Sequence, residues 1–358
     1  MITGVMRWNL PAAAVLAVGL LAALEWPGVS PAAETPAVDG ALYPLQVSSE
    51  QGRRLALGEI VSYPVTEHSE RELAVGLAVF VAAPAGHLAE YLASGQLIAQ
   101  DVTISDFGIV ADSASRDALS RAQFTTAERG EAESLLEAAP GTRINLSLSE
   151  IEILRGLRAS AGQPSRTPPA ETVVDAYRRL LHQRLLAYQQ GGLAAIAPYA
   201  RSGGATTDPA AELGRAASDA EGLGREGPAL REALLRYPAA QPPELVSRLY
   251  WIKRRVQRRP DLCLLHQMLS LGPSSAIHVE RYFYVGHSYN ASQIITGAFE
   301  FRDGSVLFAT SRVSTDEVLG VGNQMKRSIG RAQLKDEMRR RLDRVRAVLS
   351  RAQPVQSP

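Results

Sequence analysis

Four consecutive segments near the C-terminus have the residue pattern of β-strands, and they constrain the fold of this chain more than any other feature. They are separated by Pro273, by the polar stretch at 286–290 and by Asp303-Gly304, and Asp-Gly is a strong signal for a tight hairpin. The four segments span residues 262–271, 276–285, 292–301 and 305–313. Because consecutive strands joined by short turns mostly pair with each other, the pattern predicts a four-stranded antiparallel meander.

A long helix is predicted after the meander. Its inner face carries apolar residues at helical spacing, namely Leu334, Met338, Leu342, Val345 and Leu349. Its outer face is assigned five arginines, namely Arg339, Arg340, Arg341, Arg344 and Arg346. Three acidic residues are interleaved with these arginines, so we interpret the outer face as solvated rather than as a membrane or nucleic-acid surface.

The remaining chain divides by composition, and a Pro- and Ser-containing linker at 159–169 separates an N-terminal unit from a helical section. Within that section a helix is expected at 243–258, between Pro243 and Pro260. The predicted segments are a signal peptide (1–33), an irregular lead-in (34–75), an N-terminal strand and helix unit (76–158), the linker (159–169), the helical section (170–260), the sheet with the C-terminal helix (261–350) and a tail (351–358). The predicted fold class is therefore α+β: a four-stranded meander packed on a long C-terminal helix, with a helical insertion and an N-terminal α/β segment.

The order of the predicted elements resembles that of helix-grip (START-like) domains. It consists of a strand at 77–81, a helix beginning at Ala83-Pro84, the meander and the long last helix. The resemblance covers residues 76–95 and 261–350, and the helical section is an insertion that the usual fold lacks. It implies a curved antiparallel sheet that wraps a long helix and encloses an apolar cavity. The stretch at 192–199 also resembles exported bacterial proteins with no assigned activity.

The N-terminus has the pattern of a secretory signal. Arg7 precedes an apolar stretch of about fifteen residues at 10–24, and small residues at 30–33 offer a cleavage site. The apolar stretch is shorter than the roughly twenty residues of a spanning helix. Together with the strong preference for arginine over lysine, this pattern predicts a periplasmic or secreted bacterial protein. An uncleaved anchor helix is the alternative.

The stretch Gly286-His287-Ser288-Tyr289-Asn290 comes within one residue of the G-x-S-x-G elbow that presents a nucleophilic serine. Such an elbow requires a helix directly after the serine, whereas the residues that follow here are strand-like. We therefore predict a polar turn between two strands. A serine hydrolase that uses Ser288 and His287 remains an alternative.

Two arginines lie on otherwise apolar strand faces, Arg281 in the second segment and Arg312 in the fourth. A buried arginine needs a carboxylate partner or an anionic ligand, because an unpaired buried charge costs several kcal/mol. A structural ion pair is the favoured interpretation, and the nearest candidate partners are Glu280, Glu300 and Asp316. Strand alternation places His278, Glu280, Tyr282 and Tyr284 together on one amphipathic face. If a ligand is bound, the residues expected to meet it are Arg281, Tyr284, His287 and Arg312.

Charge and metal-binding residues exclude several functions. The formal net charge is +1, so no overall field favours nucleic acid. Cys263 is the one cysteine, and no histidine pair has helical or H-x-H spacing, so we expect no metal and no cofactor. The leading hypothesis is an exported protein, with no span through a membrane once the signal is cleaved, that binds a lipid-like or other apolar ligand in a sheet–helix cavity without catalysis. The alternative is a structural or protein-interaction component of the envelope, whose protein partner stays unidentified.

Overall fold

The structure is a computed structural model that describes residues 42, 45–111, 113, 115, 117–125, 128–141, 144–160, 168–220, 227–256, 258–272 and 275–351. The predicted signal peptide, most of the predicted linker and all but the first residue of the predicted tail lie outside these ranges. The described residues belong to one compact unit.

Ten strands are described. They are β1 (Val61–Tyr63), β2 (Glu72–Val81), β3 (Ile104–Ile109), β4 (Tyr199–Ala200), β5 (Thr206–Thr207), β6 (Val246–Val256), β7 (Arg259–Leu271), β8 (Ser275–Val285), β9 (Ala291–Phe301) and β10 (Gly304–Ser314). Eight of them form one antiparallel sheet in the order β1-β2-β10-β9-β8-β7-β6-β3, and β4 pairs with β5 separately. The α+β class and the antiparallel sheet are confirmed, but the predicted count of four strands is wrong, because β6 and three N-terminal strands extend the meander on both sides.

Strand β6 occupies the region where a helix over 243–258 was predicted. Its residues alternate: Leu249 and Trp251 are buried on one side of the sheet, and Tyr250 and Ile252 are buried on the other. Strand β7 pairs with it along its whole length, and β3 pairs with its residues 250–254. Its apolar run is only four residues long, from Leu249 to Ile252, and charged residues flank it, so the residue pattern alone does not distinguish it from a helix segment.

Nine helices of the described ranges surround the sheet. They are α1 (Ser49–Ala56), α2 (Ala85–Ala93), α3 (Gln96–Ala99), α4 (Arg129–Leu136), α5 (Leu148–Ser160), α6 (Ala170–Gly191), α7 (Pro209–Ala216), α8 (Gly227–Arg236) and α9 (Asn323–Arg351). Helices α2 and α9 cover one side of the sheet, here called the α9 face, and α4 to α8 cover the other, here called the insertion face. Helix α1 lies in the predicted irregular lead-in, where Ser48 and Gln51 form a capping box that starts it.

The long C-terminal helix is confirmed, and its inner face is mostly the predicted one. Met338, Leu342, Val345 and Leu349 are buried against β2 and β10. Arg341 was assigned to the outer face, but it is buried. It lies three residues after Met338 and four before Val345, so helical geometry places it on the inner side. No helix within the described ranges is long and apolar enough to cross a membrane.

A bulge in β8 changes which side its last residues face. Leu265 pairs with Tyr282, whereas Leu264 pairs with Tyr284, so Phe283 is an extra residue in β8. Tyr282 therefore packs on the α9 face, and Tyr284 packs on the insertion face beside Phe283. The sequence prediction that Tyr284 shares a face with His278 and Tyr282 is wrong, because strict alternation does not hold through a bulge.

Candidate functional site

The four residues expected to meet a ligand all lie away from the C-terminal helix. Arg281 and Arg312 face the insertion side in one cross-strand row, and each pairs with Gln293 between them. Tyr284 lies near the end of β8, and His287 lies in the turn that follows. The sequence analysis expected these residues in a cavity beside the C-terminal helix. The sheet instead places them on the side away from that helix.

Arg281 is fully buried and bonds to neutral groups. Its Nη1 donates to the carbonyl of Leu234 at 2.5 Å, and its Nε and Nη2 donate to Oε1 of Gln293 at 3.2 and 3.1 Å. Among the described residues no carboxylate forms an ion pair with it. Leu234 lies in the last turn of α8, where unpaired carbonyls carry partial negative charge and favour a cation. Arg281 therefore fixes α8 on the sheet.

Arg312 forms the structural ion pairs that the sequence favoured, but with different partners. Its Nη1 lies 2.9 Å from Oε1 of Glu72, and its Nη2 donates to Oδ1 of Asp219 at 2.6 Å. The predicted partners are elsewhere: Glu280 pairs with Arg341 on the α9 face, Asp316 pairs with Arg71 and Arg201, and Glu300 is exposed. Both true partners are distant in sequence, and sequence adjacency gives no signal for them.

Tyr284 and His287 are also tied to protein groups. The hydroxyl of Tyr284 lies 2.9 Å from that of Tyr177, and burial raises the pKa of Tyr284 well above its usual value. His287 contacts the Ser288 hydroxyl through Nδ1 at 2.6 Å and the Pro260 carbonyl through Nε2 at 3.0 Å. The chain continues into β9 at Ala291, which is a strand, as the sequence predicted for this turn.

A second polar group, which the sequence did not single out as a site, lies on the α9 face. It consists of Gln267, His278, Glu280, Thr296 and Arg341, and we call it the His278 cluster. Gln267 lies opposite Glu280 across β7 and β8, and His278 lies opposite Thr296 across β8 and β9. All five residues are buried.

Five polar atoms of the His278 cluster have no hydrogen-bond partner among the described residues. They are Nε2 of Gln267, both ring nitrogens of His278, Oγ1 of Thr296 and Nε of Arg341. Buried polar groups in native proteins are nearly always bonded, and each one left unbonded costs about 1–3 kcal/mol. Five such atoms, four on the adjacent strands β7 to β9 and one on α9, therefore mark a place where a bonding partner is expected.

The His278 cluster is close to electrically neutral and rich in donors. Arg341 and Glu280 form a two-pronged ion pair, with Nη2 donating to Oε1 at 2.6 Å and Nη1 to Oε2 at 3.0 Å. Burial lowers the pKa of His278 to about 4, although the nearby Glu280 carboxylate opposes this shift. His278 is therefore uncharged near neutral pH. The free atoms offer donors from an amide, a guanidinium, a hydroxyl and an imidazole, which suit a ligand with acceptor oxygens.

Apolar side chains surround this polar cluster on the α9 face. They belong to α9, to α2 and to the sheet, and include Met338, Leu342, Leu88, Leu269 and Ala298. A polar group set into such a surface suits an amphipathic molecule. Two features of the sequence could have predicted this cluster. One is the spacing of His278 and Glu280, which places both on one face of β8, and the other is the helical spacing of Arg341 with the apolar residues of α9.

Among the residues whose positions the structure describes, no three His, Cys, Asp or Glu side chains are placed to hold a metal ion.

Replacing Arg312 by methionine tests its structural role. The substitution leaves the Glu72 and Asp219 carboxylates without their cation in a buried place, so we expect the free energy of unfolding to fall by about 3–5 kcal/mol. Urea denaturation measures the change. Arg340→Met, at an exposed position of α9, is the control and should change stability by less than about 0.5 kcal/mol. Equal stability of the two variants would contradict the role.

His278 should make the protein less stable in mild acid. Its pKa is about 4 in the folded chain, against an ordinary value of 6.5. The unfolded chain therefore binds a proton there between pH 6.5 and 4 that the folded chain does not, and stability falls as pH is lowered through that window. We expect His278→Gln to remove about 2 kcal/mol of the loss between pH 7 and pH 5, measured by urea denaturation. The exposed His68, changed to Gln, is the control and should leave the loss as it is.

Comparison with known proteins gives no relative for this arrangement: no family model, no curated protein and no solved structure matches the chain.

Proposed function

We propose that this chain is an exported bacterial binding protein that holds a lipid-like, amphipathic ligand between the sheet and helix α9, without catalysing a reaction. The His278 cluster would meet the polar head of the ligand, and the apolar residues of α2 and α9 would meet its tail. The observation that carries the proposal is the set of five buried, unpartnered polar atoms in that cluster. Arg281 and Arg312 hold the insertion to the sheet in this proposal and do not bind the ligand.

The donors of the His278 cluster favour a head group with acceptor oxygens. Nε2 of Gln267, Nε of Arg341 and the hydroxyl of Thr296 can each donate to a carboxylate, phosphate ester or hydroxyl oxygen. Because Arg341 is already paired with Glu280, the cluster supplies directed hydrogen bonds more than net charge. A ligand with one compact polar head and an aliphatic chain matches both the donors and the apolar surroundings.

The order and pairing of the elements support a helix-grip arrangement. Strand β2 is followed by α2, α3 and β3, then after the insertion by the meander β6 to β10, and finally by α9. Strand β2 pairs with β10 and β3 pairs with β6, so the first strands flank the meander on both sides. In the helix-grip arrangement that the sequence resembles, the ligand lies between the sheet and the last helix, which is the side where the His278 cluster lies.

A flexible joint before α9 gives the ligand a way in. Gly320 and Gly322 both have positive φ values, of 76° and 73°, and Val321 between them is almost fully exposed. Few packing contacts hold these exposed residues, so we propose that α9 pivots there, a movement that breaks the ion pairs of Arg327 and Arg331 with Glu67. The ligand would enter by displacing α9.

A matched pair of threonines tests the site. Thr296 on the α9 face has no partner, whereas Thr310 on the insertion face bonds to Tyr63 at 2.6 Å. With a long-chain fatty acid as the probe, we expect Thr296→Val to weaken binding about tenfold, because one hydrogen bond to the carboxylate is lost. Thr310→Val should leave the dissociation constant unchanged while it lowers stability. Fluorescent-probe displacement measures the affinity, and native mass spectrometry of the purified protein shows whether an amphiphile accompanies it. Equal effects of the two variants, or no binding, would refute the proposal.

Export is tested at the N-terminus. When the chain is expressed in a bacterium, we expect a mature form that begins near residue 34, after the small residues at 30–33. Intact-mass measurement of the periplasmic fraction checks this. A full-length chain retained in the membrane fraction would favour the uncleaved anchor. A stable protein partner recovered from the envelope would favour the alternative role of a structural or interaction component.

A further inference from the structure

The first half of α9 carries apolar side chains on the side that faces away from the protein. Val321, just before the helix, is 96% exposed, and Met325 in the first turn is 64% exposed. Ile329 is partly buried and Ala332 is exposed. They follow Met325 by four and seven residues, so the three side chains lie along one side of the helix. We call these four residues the α9 stripe.

The α9 stripe lies opposite the residues that pack on the sheet. The helix approaches β2 at Gly330, where a Cβ would lie 2.6 Å from Cδ1 of Leu73. At about 100° of rotation per residue, Gly330 lies roughly 140° around the helix from Met325, and the partly buried Leu334 lies roughly 180° from it. The stripe therefore faces outward, where a helix of a globular protein is ordinarily polar.

Positive charge surrounds the α9 stripe. Arg327 and Arg331 share one carboxylate, that of Glu67, and the two lysines form no ion pair within the described ranges. Two exposed carboxylates close to the start of the helix, Glu70 and Glu317, reduce the excess of positive charge without reversing it. The first thirteen residues of α9 contain no acidic side chain and four basic ones, namely Lys326, Arg327, Arg331 and Lys335.

The second half of α9 has a different pattern. Arg339 and Arg340 are exposed there, but Asp336, Glu337 and Asp343 are interleaved with the basic residues. That half carries its buried apolar residues on the side of the sheet. It has the pattern of a solvated surface, as the sequence analysis interpreted it. Within α9, outward apolar side chains and unbalanced positive charge occur together in the first half.

We propose that the first half of α9 docks on a membrane surface that contains anionic phospholipids. The α9 stripe would enter the layer of the lipid head groups, as the apolar face of an interfacial helix does. Lys326 and Lys335 lie about 100° and 80° from Met325 on opposite sides of the stripe, so both can reach lipid phosphates. Each basic residue near an anionic surface strengthens binding about fivefold.

The docking surface adjoins the joint at which the ligand would enter. Arg327 and Arg331 bond to Glu67 in this structure, and lipid phosphates are alternative partners for both guanidinium groups. Docking would therefore offset the cost of breaking these ion pairs when α9 pivots, and it would place the entrance where amphiphiles are found. This coupling rests on the proposed function, whereas the docking itself does not.

Vesicles of two compositions test the docking by co-sedimentation. In about 0.15 M salt, we expect the protein to bind vesicles of phosphatidylglycerol and phosphatidylcholine at least tenfold more tightly than vesicles of phosphatidylcholine alone. The double variant Lys326→Gln/Lys335→Gln should weaken binding to the anionic vesicles about tenfold or more, because two charges are lost. Arg339→Gln/Arg340→Gln removes two exposed charges from the same helix and is the control, with an expected change below about threefold. Equal effects of the two double variants would overturn the proposal.

A fluorophore at Met325 shows whether this surface itself enters the membrane. Met325→Cys is labelled with an environment-sensitive dye; Cys263 is buried, and burial raises the pKa of its thiol, so it should not react. We expect the dye emission to shift to the blue with the anionic vesicles. Leu57→Cys, at a position 78% exposed, is the control. The carbonyl of the adjacent Gly58 accepts from Arg346, which lies roughly 30 Å further along α9, so no shift is expected there.

The two measurements separate docking from ligand binding. A blue shift at both labelled positions, or at neither, would refute docking through the α9 stripe. Binding of a long-chain fatty acid in the absence of vesicles is a separate readout. Its loss would refute the proposed ligand site and the coupling, whereas selective binding to anionic vesicles with a shift at Met325→Cys alone would still support the docking.

Discussion

The guanidinium of Arg281 is fully buried and fixes how the helical insertion lies on the sheet. A buried charge without a counter-ion costs several kcal/mol, and here the cost is offset by the carbonyl of Leu234 at the end of α8 and by Gln293. Gln293 in turn donates from Nε2 to the carbonyl of Ala216 at the end of α7, at 2.8 Å. Arg312, the next residue in the same row, bonds to Asp219 just beyond α7. Directional bonds, and not only apolar burial, therefore determine the placement of both helices.

The two faces of the sheet differ in how their buried polar residues are bonded. On the insertion face, Arg281, Gln293 and Arg312 bond to groups of the helices, and His266 bonds to Tyr188 and Ser247. On the α9 face, one strong ion pair, Glu280 with Arg341, stands beside polar atoms that lack partners. The polar residues of the Arg281–Arg312 row serve assembly, although single atoms without a partner among the described residues also occur on this face, among them Oη of Tyr199 and Nε of Arg215. On the second face five such atoms lie close together, and this concentration is the physical reason for the binding site that we propose beneath α9.

Local patterns predicted local structure well. The four meander strands became β7 to β10, the Asp303-Gly304 hairpin joins β9 to β10, and the buried stripe of α9 follows helical spacing. Several of the misses depend on contacts that the local sequence pattern does not show. Strand β6 is identified by pairing with β3 and β7, Arg312 finds Glu72 and Asp219 far away in sequence, and a bulge moves Tyr284 to the other face. Two members of the His278 cluster, His278 and Glu280, lie on β8, and strand alternation in the sequence predicted that they share a face. The position of Arg341 could be predicted only by assigning a charged residue to the inner face of a helix.

The turn at 286–290 shows how a resemblance in residue types can have a different physical cause. Gly286 is needed because the Asp261 carboxylate approaches its backbone closely, not because a serine must be presented. Asn145 donates to the carbonyls of Val285 and Tyr289, at 3.0 and 2.7 Å, and so ties the turn to the segment just before α5. Ser288 has a φ of 70° and bonds back to His287, which is oriented by the Pro260 carbonyl. Glycine, histidine and serine are thus each accounted for by contacts of the turn with Asp261, with Pro260 and within itself, and the chain continues directly into β9 without the helix that a nucleophile would need.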